Sequence, residues 1–216
     1  IFPAVAIANA IKNKHPNTEI LFVGAKGKME MEKVPKAGYP IKGLWISGLQ
    51  RKLTLGNLLF PVKVLLSLLH AVSIIKSFKP DVAIGVGGYA GGPLLKAASM
   101  MGIPTLIHES NSFPGITNKL LGKSVNKVCV AFSNMEKYFP KHKLVLTGNP
   151  VRQEILQLNG KRDAALAHFK LDHKRPVVLV VGGSLGARSV NQAIQASLPF
   201  FKKNNYQLLW QTGKHE

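Results

Sequence analysis

Residues 79–111, KPDVAIGVGGYAGGPLLKAASMMGIPTLIHESN, contain the pattern that decides the fold. An apolar run at Asp81–Val86 is followed by a glycine-rich turn, a helix-like stretch at Gly92–Met101 and a second apolar run at Pro104–Ile107. Continuous apolar strands separated by helices are typical of a parallel sheet that is covered on both faces. The stretch therefore predicts a strand–helix–strand unit of a doubly wound α/β domain.

The same alternation continues on both sides of this stretch. Further strands are predicted at Glu19–Val23, Ile41–Ile46, Lys127–Val130 and Leu144–Leu146. Further helices are predicted at Pro3–Lys14, Lys28–Ala37, Asn57–Phe78 and Gly115–Leu121. We therefore expect one α/β domain over residues 1–151.

The pattern starts again after Gly148-Asn149-Pro150, which predicts a second α/β domain over residues 152–216. Its predicted elements are a helix at Gln153–Phe169, a strand at Pro176–Val181, a helix at Ser189–Phe200 and a strand at Gln207–Gln211. These residues are too few for a doubly wound domain of the usual size. The chain also begins at Ile1, without Met, in a helix-like pattern, so we expect both ends to be truncated.

The charge balance of the chain is strongly basic. It has 29 Lys and Arg against 10 Asp and Glu among 216 residues, a net charge of +19 at pH 7. Such a surface attracts nucleic acid, anionic lipid headgroups or phosphorylated substrates, with a merely soluble basic surface as the alternative. Only 7% of the residues are aromatic, and no stacking pattern or recognition helix stands out, which disfavours a nucleic-acid-binding module.

Cysteine and histidine usage indicates neither a disulfide nor a zinc site. Cys129 is the single cysteine, and its apolar neighbours predict a small buried hydrophobic residue rather than a nucleophile. The seven histidines show no HExxH motif and no paired Cys/His spacing.

Residues 53–75, LTLGNLLFPVKVLLSLLHAVSII, are the most apolar stretch. The run is interrupted by Pro61, Lys63 and His70, and it is flanked by Arg51, Lys52, Lys76 and Lys79. An apolar helix framed by cations suits the surface of a membrane, and a core helix of the α/β domain is an equally good interpretation. A membrane-spanning helix is disfavoured.

Two glycine-rich turns follow predicted strands, at Gly85–Pro93 and at Gly182–Arg188. A turn of this kind before a helix N-terminus can hold a phosphate or pyrophosphate, although tight packing also requires glycine. Neither turn is a P-loop, because neither ends in Gly-Lys-Ser/Thr. His108-Glu109-Ser110-Asn111 follows a predicted strand, where open α/β sheets bind ligands, and Arg152 at the domain junction could pair with a phosphate. The alternatives are a hydrogen-bonded strand-end His, a capping Asn and a solvated linker Arg.

Short motifs along the whole chain resemble those of the MurG-type glycosyltransferases, in the same order and spacing. They are Ile1–Ala4, Ile46–Leu49, Lys79–Asp81, Gly85–Pro93, His108–Asn111, Thr117–Lys119, Gly148–Arg152 and Gly182–Asn191. A departure is Ser110, where the family often has Gln. The resemblance implies the GT-B architecture, in which two Rossmann-like doubly wound domains face each other across a cleft.

The resemblance also implies an activity, its substrates and a location. N-acetylglucosamine would pass with inversion from UDP-N-acetylglucosamine to lipid I, undecaprenyl-pyrophosphoryl-N-acetylmuramoyl-pentapeptide, to give lipid II for peptidoglycan synthesis, cell shape and cell division. We expect no cofactor to be required. A divalent cation stays open as an alternative, although the sequence has no ligand motif for one. The enzyme would lie peripherally on the cytoplasmic face of the bacterial inner membrane, on an anionic surface. The alternatives are a UDP-sugar epimerase of the same fold and a basic membrane- or nucleic-acid-binding module.

The resemblance assigns roles to individual residues. Donor contacts are expected from Asn111, Arg152 and Ser184, and the diphosphate loop would be Gly182, Gly183, Gly186 and Ala187. The acceptor pyrophosphate is expected at Gly87, Gly88 and Tyr89, and the membrane contact at Leu58, Leu59, Leu65 and Leu69. The general base is expected to be a His before Ile1, with His108 and Glu109 as weaker candidates. The resemblance places that His in a first glycine-rich loop before Ile1, and it places the uridine-reading segment after the end of the chain. We therefore expect these 216 residues alone to be inactive.

Overall fold

A computed structural model describes residues 1–48, 60–151, 158–183 and 186–213. The chain divides into two compact units, Ile1–Gln153 and Glu154–Glu216. Both units are built from parallel strands connected by helices. The predicted α/β class is therefore confirmed.

Unit 1, Ile1–Gln153, alternates helices and strands along the chain. Its helices are α1 (Phe2–Lys14), α2 (Glu30–Lys36), α3 (Phe60–Phe78), α4 (Gly91–Met100) and α5 (Ile116–Gly122). Its strands are β1 (Phe22–Ala25), β2 (Ile41–Leu44), β3 (Ala83–Gly85), β4 (Thr105–Glu109), β5 (Lys127–Val130) and β6 (Leu144–Leu146). A 3₁₀ turn at Lys141–Lys143 precedes β6.

The strands of unit 1 form two parallel sheets within the described residues. One sheet has the order β3-β4-β5-β6, and the other pairs β1 with β2. Within each sheet, the carboxyl ends of the strands therefore lie at the same edge, as in other open α/β sheets. The buried core includes Leu95 of α4, Ile107 of β4 and Val128 of β5.

A gap separates β1 from β3. An apolar cavity of about 370 Å³ lies there, and it is lined by Leu21–Gly24 on one side and Val82–Gly85 on the other. Residues of α1, among them Ala4 and Ile11, also line it.

Unit 2 contains α6 (Lys161–His168), β7 (Val177–Val181), α7 (Arg188–Ala196), α8 (Leu198–Lys203) and β8 (Gln207–Gln211). Strands β7 and β8 pair in parallel. The prediction of a single helix at Ser189–Phe200 is wrong, because the helix is interrupted at Ser197 and two helices form. The Ser197 hydroxyl donates to the carbonyl of Ala193, and Pro199 at the start of α8 has no N–H with which to continue α7.

The helix predicted at Gln153–Phe169 is wrong in part, because residues 158–160 are not helical. Residues 152–157 lie outside the described part of the chain, and α6 begins only at Lys161. Gly160 precedes it with φ +74°, a left-handed conformation that a helix cannot continue through.

Gly122, the last residue of α5, tests how tightly the core of unit 1 is packed. A Cβ at this position would lie 2.5 Å from Cδ1 of Phe139, whose side chain is buried. We expect Gly122→Ala to lower the free energy of unfolding by about 1–3 kcal/mol, since the ring has little room to move. The control is Gly91→Ala, where no heavy atom lies within 4 Å. It should leave the urea-unfolding midpoint unchanged or raise it, and equal losses in both variants would contradict this packing.

Candidate functional site

Two titratable side chains are buried at the carboxyl end of β4. His108 is 2% exposed and Glu109 is 3% exposed. The strand was predicted to end at Ile107, but its pairing with β5 continues to Glu109, which lies opposite Val130. Both residues therefore belong to the sheet, and the loop that follows starts at Ser110.

The carboxylate of Glu109 accepts four hydrogen bonds. Its Oε1 accepts from the backbone N–H and from Nδ2 of Asn111, each at 3.0 Å. Its Oε2 accepts from the backbone N–H of Gly115 at 3.2 Å and from Nδ2 of Asn118 at 2.8 Å. A buried carboxylate is costly without such donors, so this group fixes the loop and the start of α5.

The imidazole of His108 connects this loop to the segment that leaves unit 1. Its Nε2 lies 2.9 Å from the carbonyl oxygen of Gly148, and its Nδ1 lies 3.3 Å from the hydroxyl of Ser110. A carbonyl can only accept, so Nε2 carries the hydrogen and the hydroxyl donates to Nδ1. The side chain of Asn149 also donates to the carbonyl of Ser110, at 3.4 Å.

These contacts bear on the search for a general base. Both ring nitrogens of His108 and both carboxylate oxygens of Glu109 make hydrogen bonds with other groups of the protein. A base must be within hydrogen-bond reach of the proton that it removes. The geometry favours a positioning role for both residues. Asn111, in contrast, is exposed at the same strand end.

The first glycine-rich turn lies between β3 and α4. Gly87 and Gly88 have φ of +89° and +84°, and Tyr89 is half exposed. The ring of Tyr89 packs on the backbone of Gly48 and leaves no room for a Cβ there. The turn leads into the N-terminus of α4, whose first N–H groups lack helical acceptors and favour an anion.

The second glycine-rich turn lies between β7 and α7 in unit 2. Gly183 and Gly186 both have φ of +83°. The backbone of Thr212 leaves no room for a Cβ at Gly186, and Ala187 is the N-cap of α7. Ser184 lies outside the described residues. The turn therefore brings a close backbone approach and a helix N-terminus together, as diphosphate sites do.

A buried amide that sequence analysis gave no role holds this second turn. Asn191 of α7 is 4% exposed, and its Nδ2 donates to the carbonyl of Thr212 at 2.8 Å. Its Oδ1 accepts from Nε1 of Trp210 at 3.1 Å. These bonds fix α7 against the end of β8. The hydrogen bond between Trp210 and Asn191 joins residues that are 19 positions apart, so no local sequence pattern predicts it.

Helix α3 has one buried face and one exposed face. Ser67, Ala71 and Ile74 are buried, and the Ser67 hydroxyl donates to the carbonyl of Trp45 at 3.0 Å. The opposite face exposes apolar side chains at helical spacing, namely Val62, Leu65, Leu66 and Leu69. The helix is long and apolar enough to cross a membrane by length and composition, and 22% of its most apolar window is buried within the protein. Leu58 and Leu59 lie outside the described residues.

The remaining candidates are the Cys129 thiol, metal-ligating side chains and Arg152. Cys129 is half-buried in β5, and burial raises the pKa of its thiol, while a hydrogen bond with Thr147 acts in the opposite direction. A raised pKa disfavours the thiolate, which agrees with the prediction that Cys129 is not a nucleophile. In the described ranges, no group of three His, Cys, Asp or Glu side chains could hold a metal ion. Arg152, the expected junction contact, lies outside these ranges.

Sequence profiles of known families match both units. The profile of the glycosyltransferase family 28 N-terminal domain matches residues 1–130. The chain belongs to glycosyltransferase family 28. The profile of the family 28 C-terminal domain matches residues 177–216. The family 28 assignment agrees with the resemblance drawn from the motifs.

The chain is similar to curated relatives over nearly its whole length. It is 57% identical over 214 residues to the UDP-N-acetylglucosamine--N-acetylmuramyl-(pentapeptide) pyrophosphoryl-undecaprenol N-acetylglucosamine transferase of Flavobacterium psychrophilum. It is 56% identical to the transferase of the same name from Cytophaga hutchinsonii. Each alignment covers 99% of this chain and 58% of the relative, so the chain spans a little over half of their length.

Solved structures share the fold. The crystal structure of Acinetobacter baumannii MurG aligns with a TM-score of 0.68 at 26% identity. The alignment covers 100% of this chain and 63% of the MurG chain. UDP-GlcNAc 2-epimerase from Neisseria meningitidis, bound to UDP-GlcNAc, aligns with a TM-score of 0.63 at 16% identity, over 96% of this chain and 62% of that one. The second likeness shows the fold alone. The predicted architecture, with its two Rossmann-like units, is thereby confirmed.

The hydrogen bonds of His108 generate a test of its role in the full-length family 28 protein. We expect His108→Gln to keep catalytic turnover within about threefold, because its amide can still donate near Gly148 as Nε2 does. His108→Leu should lower the free energy of unfolding by about 1–3 kcal/mol, since the carbonyl of Gly148 loses its donor. Thermal unfolding and turnover, measured on both variants, distinguish a positioning role of His108 from a role as the general base. A His108→Gln variant that is fully stable but slower by a hundredfold or more would show that His108 acts as the base.

Proposed function

We propose that the full-length protein transfers N-acetylglucosamine from UDP-N-acetylglucosamine to lipid I, with lipid II and UDP as products. The observation that carries this proposal is 57% identity, over 99% of the chain, to a transferase named for that reaction. The geometry supports it, because a polar strand end and glycine-rich turns before helix N-termini suit sugar hydroxyls and phosphates. The same proposal gives the protein its role in cell-wall synthesis.

The second glycine-rich turn is proposed to hold the donor's diphosphate. Gly182, Gly183, Gly186 and Ala187 form this turn before α7, and the backbone N–H groups at the helix start favour negative charge. Arg152 and Ser184 are proposed to add charge-assisted hydrogen bonds. No metal or other cofactor is proposed, since these groups can stabilise the charge that develops on departing UDP.

The first glycine-rich turn is proposed to hold the acceptor's pyrophosphate. Gly87, Gly88 and Tyr89 precede α4, and Tyr89 is held against Gly48 while half of its side chain stays exposed. The phosphates of lipid I would lie at the helix start, as anions do at other helix N-termini. The acceptor sugar would then face the carboxyl end of β4.

The chemical step is proposed to be a direct displacement at the anomeric carbon. The acceptor hydroxyl oxygen forms the new bond to this carbon, and the bond from the carbon to the oxygen of UDP breaks with inversion. A general base takes the proton of the hydroxyl. The resemblance to the MurG-type enzymes implies a His before Ile1 for this task. His108 and Glu109 instead make hydrogen bonds within the protein.

A UDP-sugar epimerase is the rival activity, since solved epimerases share the fold. What favours the transferase is the sequence, which is 57% identical to a named transferase and 16% identical to that epimerase. The exposed apolar face of α3 also favours it, because a lipid-linked acceptor stays in the membrane. A basic nucleic-acid-binding module has no structural feature in its favour among the described residues.

The transfer can be measured with radiolabelled UDP-N-acetylglucosamine and lipid I. We expect the full-length protein to form labelled lipid II, and Arg152→Ala and Ser184→Ala to lower kcat/KM by about ten- to a hundredfold each. Each change removes a charge-assisted hydrogen bond on the order of 1.5–3 kcal/mol. Arg162→Ala, at an exposed position of α6, is the matched control and should have no effect.

Two outcomes would contradict this proposal. Formation of a 2-epimer of the sugar nucleotide without labelled lipid would favour the epimerase. Unchanged kcat/KM in both Arg152→Ala and Ser184→Ala would remove the diphosphate site from this turn.

We also propose that α3 docks on the anionic cytoplasmic face of the inner membrane without crossing it. Its apolar exposed face includes Leu65 and Leu69, which are 58% and 59% exposed. Lys76 and Lys79 are exposed at its end, and the chain carries a net charge of +19. An apolar face framed by cations complements an anionic lipid surface.

Vesicle binding tests this docking. We expect Leu65→Ser with Leu69→Ser to weaken binding by roughly tenfold per substitution, because less apolar surface enters the lipid. Binding of the unaltered protein should weaken as salt rises and be stronger for anionic than for neutral vesicles. Leu158→Ser with Leu198→Ser, both exposed in unit 2, is the control. Equal binding to neutral and anionic vesicles, or resistance to alkaline carbonate extraction, would overturn surface docking.

A further inference from the structure

The amide of Asn111 has a fixed orientation at the end of β4. Both its backbone N–H and its side-chain Nδ2 donate to Oε1 of Glu109, each at 3.0 Å. A carboxylate oxygen accepts but does not donate, so the side-chain oxygen of Asn111 cannot take that place. The nitrogen end of the amide therefore points inward, towards the carboxylate.

The carboxylate itself cannot turn away from Asn111. Its Oε2 accepts from the backbone N–H of Gly115 and from Nδ2 of Asn118, at 3.2 and 2.8 Å. Asn118 is 5% exposed and also donates to the carbonyl of His108 at 3.5 Å. A rotation of Glu109 would leave these buried donors unpaired, which costs about 1–3 kcal/mol for each group.

The oxygen end of the Asn111 amide is consequently the end that a ligand meets. Asn111 is an exposed residue, and its Oδ1 accepts no hydrogen bond from the described part of the protein. An exposed acceptor at the carboxyl end of a parallel strand lies where open α/β sheets bind their ligands.

We propose that Glu109 sets the polarity of sugar recognition by turning Oδ1 of Asn111 towards the bound sugar. Asn111 then accepts a hydrogen bond, so the sugar must offer a hydroxyl or an amide N–H at that point. Glu109 is a positioning residue, since it acts through Asn111. This inference rests on the proposed function, in which Asn111 contacts the sugar of the donor.

A selectivity follows from this polarity. A donor sugar in which fluorine replaces the contacted hydroxyl can accept but cannot donate, and it leaves Oδ1 of Asn111 unpaired. Sites that are built to hydrogen-bond a substrate hydroxyl reject analogues that lack it far more strongly than apolar pockets reject a missing methylene.

The substitution Asn111→Asp tests the orientation in the full-length protein. At high pH, the introduced carboxylate faces the carboxylate of Glu109 at the distance of a hydrogen bond, and repulsion turns it away. Because two adjacent carboxylates favour a shared proton, lowering the pH lets the introduced group donate to Oε1 as Nδ2 does. Its other oxygen then faces the sugar. His108 and Glu109 are the titratable groups in this network, and both are present in the unaltered protein.

We therefore expect kcat/KM of Asn111→Asp, divided by that of the unaltered protein, to rise by up to about tenfold per pH unit as pH falls from 8.5 towards 5.5. The matched variant Asn111→Ala should give a low ratio that does not change with pH. A ratio for Asn111→Asp that stays flat, or full activity at neutral pH, would overturn the inference.

A stability measurement separates this inference from the proposed function. The folded state of Asn111→Asp holds the shared proton to a higher pH than the unfolded chain does. Its loss of stability relative to Asn111→Ala should therefore shrink as pH falls through that range. This shift is expected whatever the substrate is. If it occurs while no lipid II forms with the unaltered protein, the proposed function fails and the fixed amide stands. If the shift is absent, the inference itself fails.

Discussion

The buried carboxylate of Glu109 is the constraint around which the end of β4 is organised. Burying this group costs several kcal/mol unless donors surround it. The chain supplies four donors from Asn111, Gly115 and Asn118, and these same contacts set the path of the loop and the start of α5. Its neighbour His108 extends the network to Gly148, where the chain leaves unit 1. The two buried side chains, Glu109 and His108, together connect the sheet, the loop and the segment at which the chain leaves unit 1.

The parallel sheet of unit 1 brings candidate site residues that lie far apart in the sequence to one edge of the sheet. Parallel strands end at a common edge, so the turn after β3 and the loop after β4 lie side by side. Each unit contributes a glycine-rich turn before a helix, which is an arrangement that binds anions without a metal. The roles proposed for the two turns, one for the acceptor and one for the donor, thus rest on one fold motif that occurs in both units.

Sequence patterns predicted the strands better than the polar networks. The strands Lys127–Val130 and Leu144–Leu146 form with the predicted bounds, because apolar runs between helices have few other solutions. The extension of β4 to Glu109 was not predicted, since a charged residue in a buried strand is explained only by its donors in the following loop and in α5. The break at Ser197 depends on a side-chain hydrogen bond that competes with the helix. Asn191 was missed because its partners, Trp210 and Thr212, lie 19 and 21 residues away in the sequence.

The central proposal is that the sugar of the bound nucleotide meets Oδ1 of Asn111 at the carboxyl end of β4. A crystal structure of the full-length protein with UDP-N-acetylglucosamine tests it most directly. We predict a hydroxyl or N–H of the sugar within hydrogen-bond distance of Oδ1 of Asn111, with the bond from His108 to Gly148 intact. A nucleotide bound elsewhere, or a sugar that contacts Nδ2 of Asn111 as an acceptor, would contradict the account.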